Sequence, residues 1–124
     1  MSGGQAAALE RVRRICLSLP EATERLSHGS PTFFVRDKNV FVMFLDDHHG
    51  DGRLALWYPA SPGVQAAMVE QEPKRFFVPP YVGGRGWLGL RLDVEPDWDE
   101  VRGVAEDAYR LVAPKHLTAR LDDL

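Results

Sequence analysis

The stretch TFFVRDKNVFVMFLDDHHGDGRLALWY, residues 32–58, decides the fold. It is rich in Phe, Val and Leu and is broken by turn-forming polar residues at Arg36-Asp37-Lys38-Asn39 and from Asp46 to Gly52. Apolar runs of strand length between such breaks predict three antiparallel strands, at about 32–36, 39–45 and 53–58, joined by hairpins. Alternation in the third strand sets Arg53, Ala55 and Trp57 on one face and Leu54, Leu56 and Tyr58 on the other.

Upstream, Leu9, Val12, Ile15, Cys16 and Leu19 recur at three to four residues, the period of an amphipathic helix that Pro20 stops. Glu21 to Gly29 is polar and turn-rich and reads as a connection. Downstream, Ser61-Pro62 suits a helix start, with serine as cap and proline at the first position, and that helix runs to about Gln71. Arg75 to Val78 reads as a short strand ended by Pro79-Pro80. Trp87 to Leu92 alternates, with Leu88, Leu90 and Leu92 opposite Trp87, Gly89 and Arg91. Asp97 caps a last helix whose stripe is Trp98, Val101, Val104, Ala105, Ala108, Leu111 and Val112, and Pro114 ends it. The expectation is one α+β domain over residues 1–124. It is a two-layer sandwich of order α-β-β-β-α-β-β-α, with a mainly antiparallel five-stranded sheet and its helices on one side.

Bulk composition narrows the function. The 124 residues are 44% hydrophobic and 27% charged, with a net charge of −3, which excludes a general polycation and leaves any nucleic-acid contact local. A single cysteine, Cys16, forms no internal disulfide, and the first residues carry no basic-then-apolar leader. The longest apolar run, Val40 to Leu45, falls far short of the roughly 20 residues that span a bilayer. A cytoplasmic monomer that does not enter membranes is expected.

Several motifs dissolve on inspection. Gly84-Arg85-Gly86-Trp87-Leu88-Gly89 has the letters of a dinucleotide fingerprint, but proline precedes it and a strand follows, so no helix N-terminus would hold a pyrophosphate. The glycines read as hairpin and bulge residues. Asp46-Asp47-His48-His49-Gly50-Asp51 holds metal-ligand types on adjacent loop positions, which seldom converge on one ion. His28, His116, Ser30, Thr32 and Cys16 fit no nucleophile–base pattern, and Asp97, Asp99 and Glu100 are accounted for by a helix N-terminus. No catalytic residue, metal ligand or cofactor is assigned.

The basic residues define the binding candidates. Arg36 and Lys38 mark one hairpin tip, and Lys74, Arg75 and Arg85 flank another, so two cationic tips projecting from one edge would touch nucleic acid. A sheet face carrying Trp57, Trp87, Arg53 and Arg91 would stack single-stranded bases if left open. A groove lined by His28, Tyr81, Arg85 and Trp87, with Arg85 as anion anchor, is the alternative and would take a small anionic ligand. A protein partner on an exposed apolar sheet face is the third.

Leu19-Pro20-Glu21-Ala22-Thr23-Glu24, His28-Gly29-Ser30-Pro31-Thr32-Phe33, Phe76-Phe77-Val78-Pro79-Pro80-Tyr81, Gly86-Trp87-Leu88-Gly89 and Ala108-Tyr109-Arg110-Leu111-Val112 together resemble the MmcQ/YjbR family. The resemblance spans nearly the whole chain and implies a two-layer α+β domain akin to secretion chaperones and CyaY. It also implies a "double wing" shape for which DNA binding has been proposed, in a family of uncharacterised function. The enzyme names some members carry find no catalytic motif here. By analogy with CyaY, iron would sit on an acidic first helix, but Arg11, Arg13 and Arg14 outnumber Glu10 and exclude it.

Overall fold

The computed structural model describes residues 3–123. Helix α1 (Gly3–Leu17) leads into strands β1 (Ala22–Ser27), β2 (Ser30–Val35), β3 (Asn39–Asp46) and β4 (Leu54–Tyr58). Helix α2 (Val64–Gln71), strands β5 (Phe76–Phe77) and β6 (Leu88–Arg91), and helices α3 (Trp98–Val112) and α4 (Lys115–Asp122) complete the fold. The sheet has six strands in the order β1-β2-β3-β4-β6-β5, and every neighbouring pair is antiparallel.

The sixth strand corrects the expectation of five. Ala22–Ser27 pairs with β2 from Ala22↔Val35 to Ser27↔Ser30, although its sequence ATERLS lacks a clean apolar alternation. It is the outer edge of the sheet, with Arg25 and Leu26 exposed, so pairing rather than burial makes it a strand. Its link to β2 is the two-residue turn His28-Gly29, both at positive φ (51° and 80°), the backbone a type I′ hairpin requires.

Two helix ends also differ from the sequence reading. Ser61 does not cap α2: Gly63 stands at that position with φ 86° and no side-chain bond, while Ser61 only accepts a turn bond from Val64 N–H through its carbonyl. Residues after Pro114 form a full helix, α4, whose Leu117 and Leu121 are buried. Asp97 caps α3 as expected, accepting from the N–H groups of Asp99 and Glu100.

The main core lies between the sheet and the helices. Phe33, Val35, Phe44, Leu56, Tyr58, Leu88 and Leu90 meet Val12, Ile15 and Cys16 of α1 and Val101, Ala105, Ala108 and Tyr109 of α3. Phe33 faces Val42 while Phe34 faces Val40, so Phe41 is an extra residue that bulges inward and packs edge-on to Tyr109 at 5.6 Å. Each large side chain sealed this way contributes about 1.5–3 kcal/mol. Among the described residues, no helix is long and apolar enough to cross a membrane.

Candidate functional site

The opposite sheet face carries a second, smaller cluster of Leu45, Ala55, Trp57, Phe77 and Trp87. The strand alternation sends these side chains away from the helices, and the chain must cover them with loops. Trp57 and Trp87 are only 2% and 7% exposed, so the face is no open stacking platform.

Two loops do the covering. Asp47 N–H donates to Arg53 O (2.8 Å), Asp47 Oδ1 accepts from Gly52 N–H (2.8 Å) and Asp51 Oδ1 accepts from Arg53 N–H (2.9 Å). The two carboxylates that looked like metal ligands therefore close the β3–β4 loop on itself. This leaves the imidazoles to turn inward: His48 stands edge-on to Trp57 at 4.8 Å, His49 to His48 at 4.2 Å, and Tyr81 lies 6.1 and 6.3 Å from the two. The other loop, between β5 and β6, is pinned by Gln65 of α2, which donates to Gly83 O (2.8 Å) and Trp87 O (2.6 Å). Arg85 lies over the Trp87 ring at 5.2 Å.

Between these loops and the sheet lies a cavity of about 940 Å³. His28, Tyr81, Arg85 and Trp87 all line it, so the four groove residues named from the sequence come together. Lys38, His48, His49, Asn39, Trp57 and Met43 join them, and no Asp or Glu is among its lining residues. The antiparallel registers give the cavity a polarity. Lys38 and Asn39 follow the end of β2 and Arg85 precedes β6, at one end of the sheet, whereas the β1–β2 turn with His28 and the β3–β4 loop with His48 and His49 come from the other.

Three lining residues, His28, His49 and Tyr81, hold left-handed backbone conformations (φ 51°, 50° and 66°), which cost a non-glycine residue about 1–3 kcal/mol each, and Glu21, Arg36, Asp37, Asp47 and Glu95 hold positive φ outside the lining. Tyr81 is also 79% exposed, a large ring held at the rim with little burial in return. In the floor, Trp57 Nε1 and His48 Nε2 are buried without a hydrogen-bond partner.

The remaining cations are scattered. Arg36 donates to Glu21 Oε1 (2.9 Å) and contacts His116 Nε2 (3.0 Å), and Arg75 is gripped by Glu72 and Glu100. The hydrogen bond from Arg75 to Glu72 is the chief cause that raises the guanidinium pKa. Lys74 is exposed. Lys74 and Arg75 sit at the far end of the sheet from Arg36 and Lys38, since Arg75 O accepts from Arg91 N–H at the end of β6 (2.8 Å). Of the second group only Arg85 shares the end of the sheet that carries Arg36 and Lys38, which corrects the expectation of two cationic tips at one edge. Of the nominal nucleophiles, Cys16 is sealed in the main core with its thiol pushed far up by burial, and Thr32 is fully buried, donating to Ser30 O (2.9 Å).

His48, His49 and Met43 were missed. The alternation already applied to β4 and β6, extended along β3, places Met43 and Leu45 on the Trp57 face, and the histidines follow directly from that strand's end.

Fold and cavity define a two-layer α+β domain with a loop-walled site on the sheet face its helices leave open. The sequence profile of the YjbR family matches residues 17–111, and the chain belongs to that family. The fold is similar to the crystal structure of Deinococcus radiodurans protein DR2400, a DUF419 domain, with a TM-score of 0.71 and 16% identity over 92% of this chain and 87% of that one. No curated protein sequence matches.

Proposed function

We propose that the chain binds a small anionic ligand in the cavity between the two loops. The observation that carries this is a lining with Lys38, Arg85 and three histidines and without a carboxylate, in a protein of net charge −3. Its volume lies within the roughly 300–1,000 Å³ of small-molecule sites, and ring side chains with a few polar groups are the usual lining of such sites. Thermal-shift and calorimetric titration with phenyl phosphate, benzoate and phosphorylated metabolites tests it. Stabilisation that rises with concentration and is lost in Arg85→Ala and Lys38→Ala is expected; no stabilisation by any of them at millimolar concentration refutes it.

Nucleic acid is the second reading, favoured by the exposed Lys38 and Arg85 on the cavity rim. With Arg36 and Arg75 held by carboxylates and Lys74 at the far end of the sheet, about two phosphates are within the reach of Lys38 and Arg85. Affinity for an oligonucleotide would then fall about 12-fold between 50 and 200 mM salt, and anisotropy without that slope refutes this reading.

A further inference from the structure

We propose that the ligand of this cavity is a nucleoside monophosphate, its phosphate at the Lys38–Arg85 end and its base beside Tyr81, His48 and His49. The inference rests on the small-anion reading and adds the ligand's class.

Three features select it. Lys38 and Arg85 bring two positive charges to one end of the cavity with no carboxylate in the lining, which suits a phosphate monoester carrying nearly two negative charges better than a single carboxylate. Arg85 offers the planar fork that matches phosphate oxygens, and Lys38 a mobile point charge. At the same time the volume of about 940 Å³ greatly exceeds what inorganic phosphate fills, so the ligand has a body. One flat wall is offered to that body: Tyr81 stands 79% exposed, set edge-on to His48 and His49 at 6.1 and 6.3 Å, so that a ligand ring stacks on its open face.

The lining also distinguishes a nucleotide from plain phenyl phosphate, which has no sugar. Ser27, Ser30 and Asn39, also in the lining, are uncharged groups of the kind that bond sugar hydroxyls.

Calorimetry and tryptophan fluorescence of the full chain with AMP, CMP, adenosine, inorganic phosphate, phenyl phosphate and a short single-stranded oligonucleotide test the assignment. A nucleoside monophosphate is expected to bind at least tenfold tighter than adenosine, inorganic phosphate or phenyl phosphate. Arg85→Ala should weaken it about tenfold or more and leave adenosine unchanged. Tyr81→Ala, at an exposed position where folding is not at stake, should weaken nucleotide and adenosine alike and leave inorganic phosphate unchanged. Phenyl phosphate binding as tightly as AMP overturns the nucleotide assignment while sparing the small-anion reading. Binding of none of the small molecules overturns both, and the oligonucleotide binding far tighter than AMP assigns the cavity to a strand rather than to a free nucleotide and also overturns it. Nucleotide binding indifferent to both substitutions places the ligand elsewhere.

Discussion

Replacing Gly89 by alanine tests whether the second face is packed as tightly as the cavity floor requires. A Cβ at Gly89 would stand 2.5, 2.6 and 2.7 Å from three atoms of the Phe77 ring, where ordinary contact is 3.4–4 Å. The ring would have to withdraw by about 1 Å, a shift of the kind that overpacking forces. It has little room to do so. Phe77 is 8% exposed, pairs directly with Gly89 across the strands, and has the Arg53 guanidinium 4.1 Å from its centroid, while Trp57 faces Gly89 from the other neighbouring strand. Overpacking of this kind costs about 1–3 kcal/mol. For a domain of this size that lowers the melting temperature by roughly 4–12 °C, and the urea midpoint by about 1 M at a slope near 2 kcal/mol/M. Gly84→Ala is the control. Nothing lies within 4 Å of a Cβ there and its φ is not positive, so it should be neutral or stabilising by up to about 1 kcal/mol. A Gly89→Ala midpoint equal to or above wild type, with an unchanged slope, refutes the reasoning.

Tyr109→Phe removes the fully buried hydroxyl that donates to Pro20 O at 2.6 Å, the bond tying α3 to the α1–β1 connection, and should cost about 1–3 kcal/mol by urea unfolding; a loss below about 0.3 kcal/mol would contradict that bond's role. Asp93 is held below the ordinary carboxylate range chiefly by its hydrogen bond from Arg91, against the opposing effect of burial. Its contribution is therefore complete above the unfolded carboxylate's range and drains away as pH falls through the lowered folded value. With about a third of each side chain still open to screening solvent, the pair is worth about 1 kcal/mol or less, so Asp93→Asn should lower the urea midpoint slightly at pH 7 and not at all near pH 2; an equal loss at both would show that charge is not the cause.

Burial was the part of the fold that the sequence displayed. Val12 and Cys16, Val101 and Ala105, and Leu54, Leu56 and Tyr58 announce their faces by spacing, because each must leave water on one side of a regular element. The edge strand Ala22–Ser27 was hidden for the opposite reason: its partner is a row of backbone groups on β2, and hydrogen bonding imposes no side-chain pattern. The site divided in the same way. His28, Tyr81, Arg85 and Trp87 could be grouped from residue type and strand direction, and the cavity gathers all four. Where Arg36 and Arg75 went could not be read, since Glu21 and Glu100 reach them across 15 and 25 positions of sequence. The glycine motif was legible as structural but for finer reasons than turn formation alone: Gly86 supplies φ 85° after the 83–85 turn, and Gly89 makes room for the Phe77 ring.

A net charge of −3 and an anion site are compatible once the pairing of charges is followed. Glu21 neutralises Arg36 and Arg120, Glu24 with Glu10 neutralises Arg13, Glu72 with Glu100 neutralises Arg75, and Asp93 and Asp122 neutralise Arg91 and Arg110. The acid that dominates the total is thus spent against guanidinium groups outside the cavity, while Asp47 and Asp51 are turned into their own loop. At physiological salt, fields from such exposed charges fade over about 8 Å, so an approaching anion responds to what lines the cavity rather than to the sum over the chain. What lines it is Lys38, Arg85 and three imidazoles.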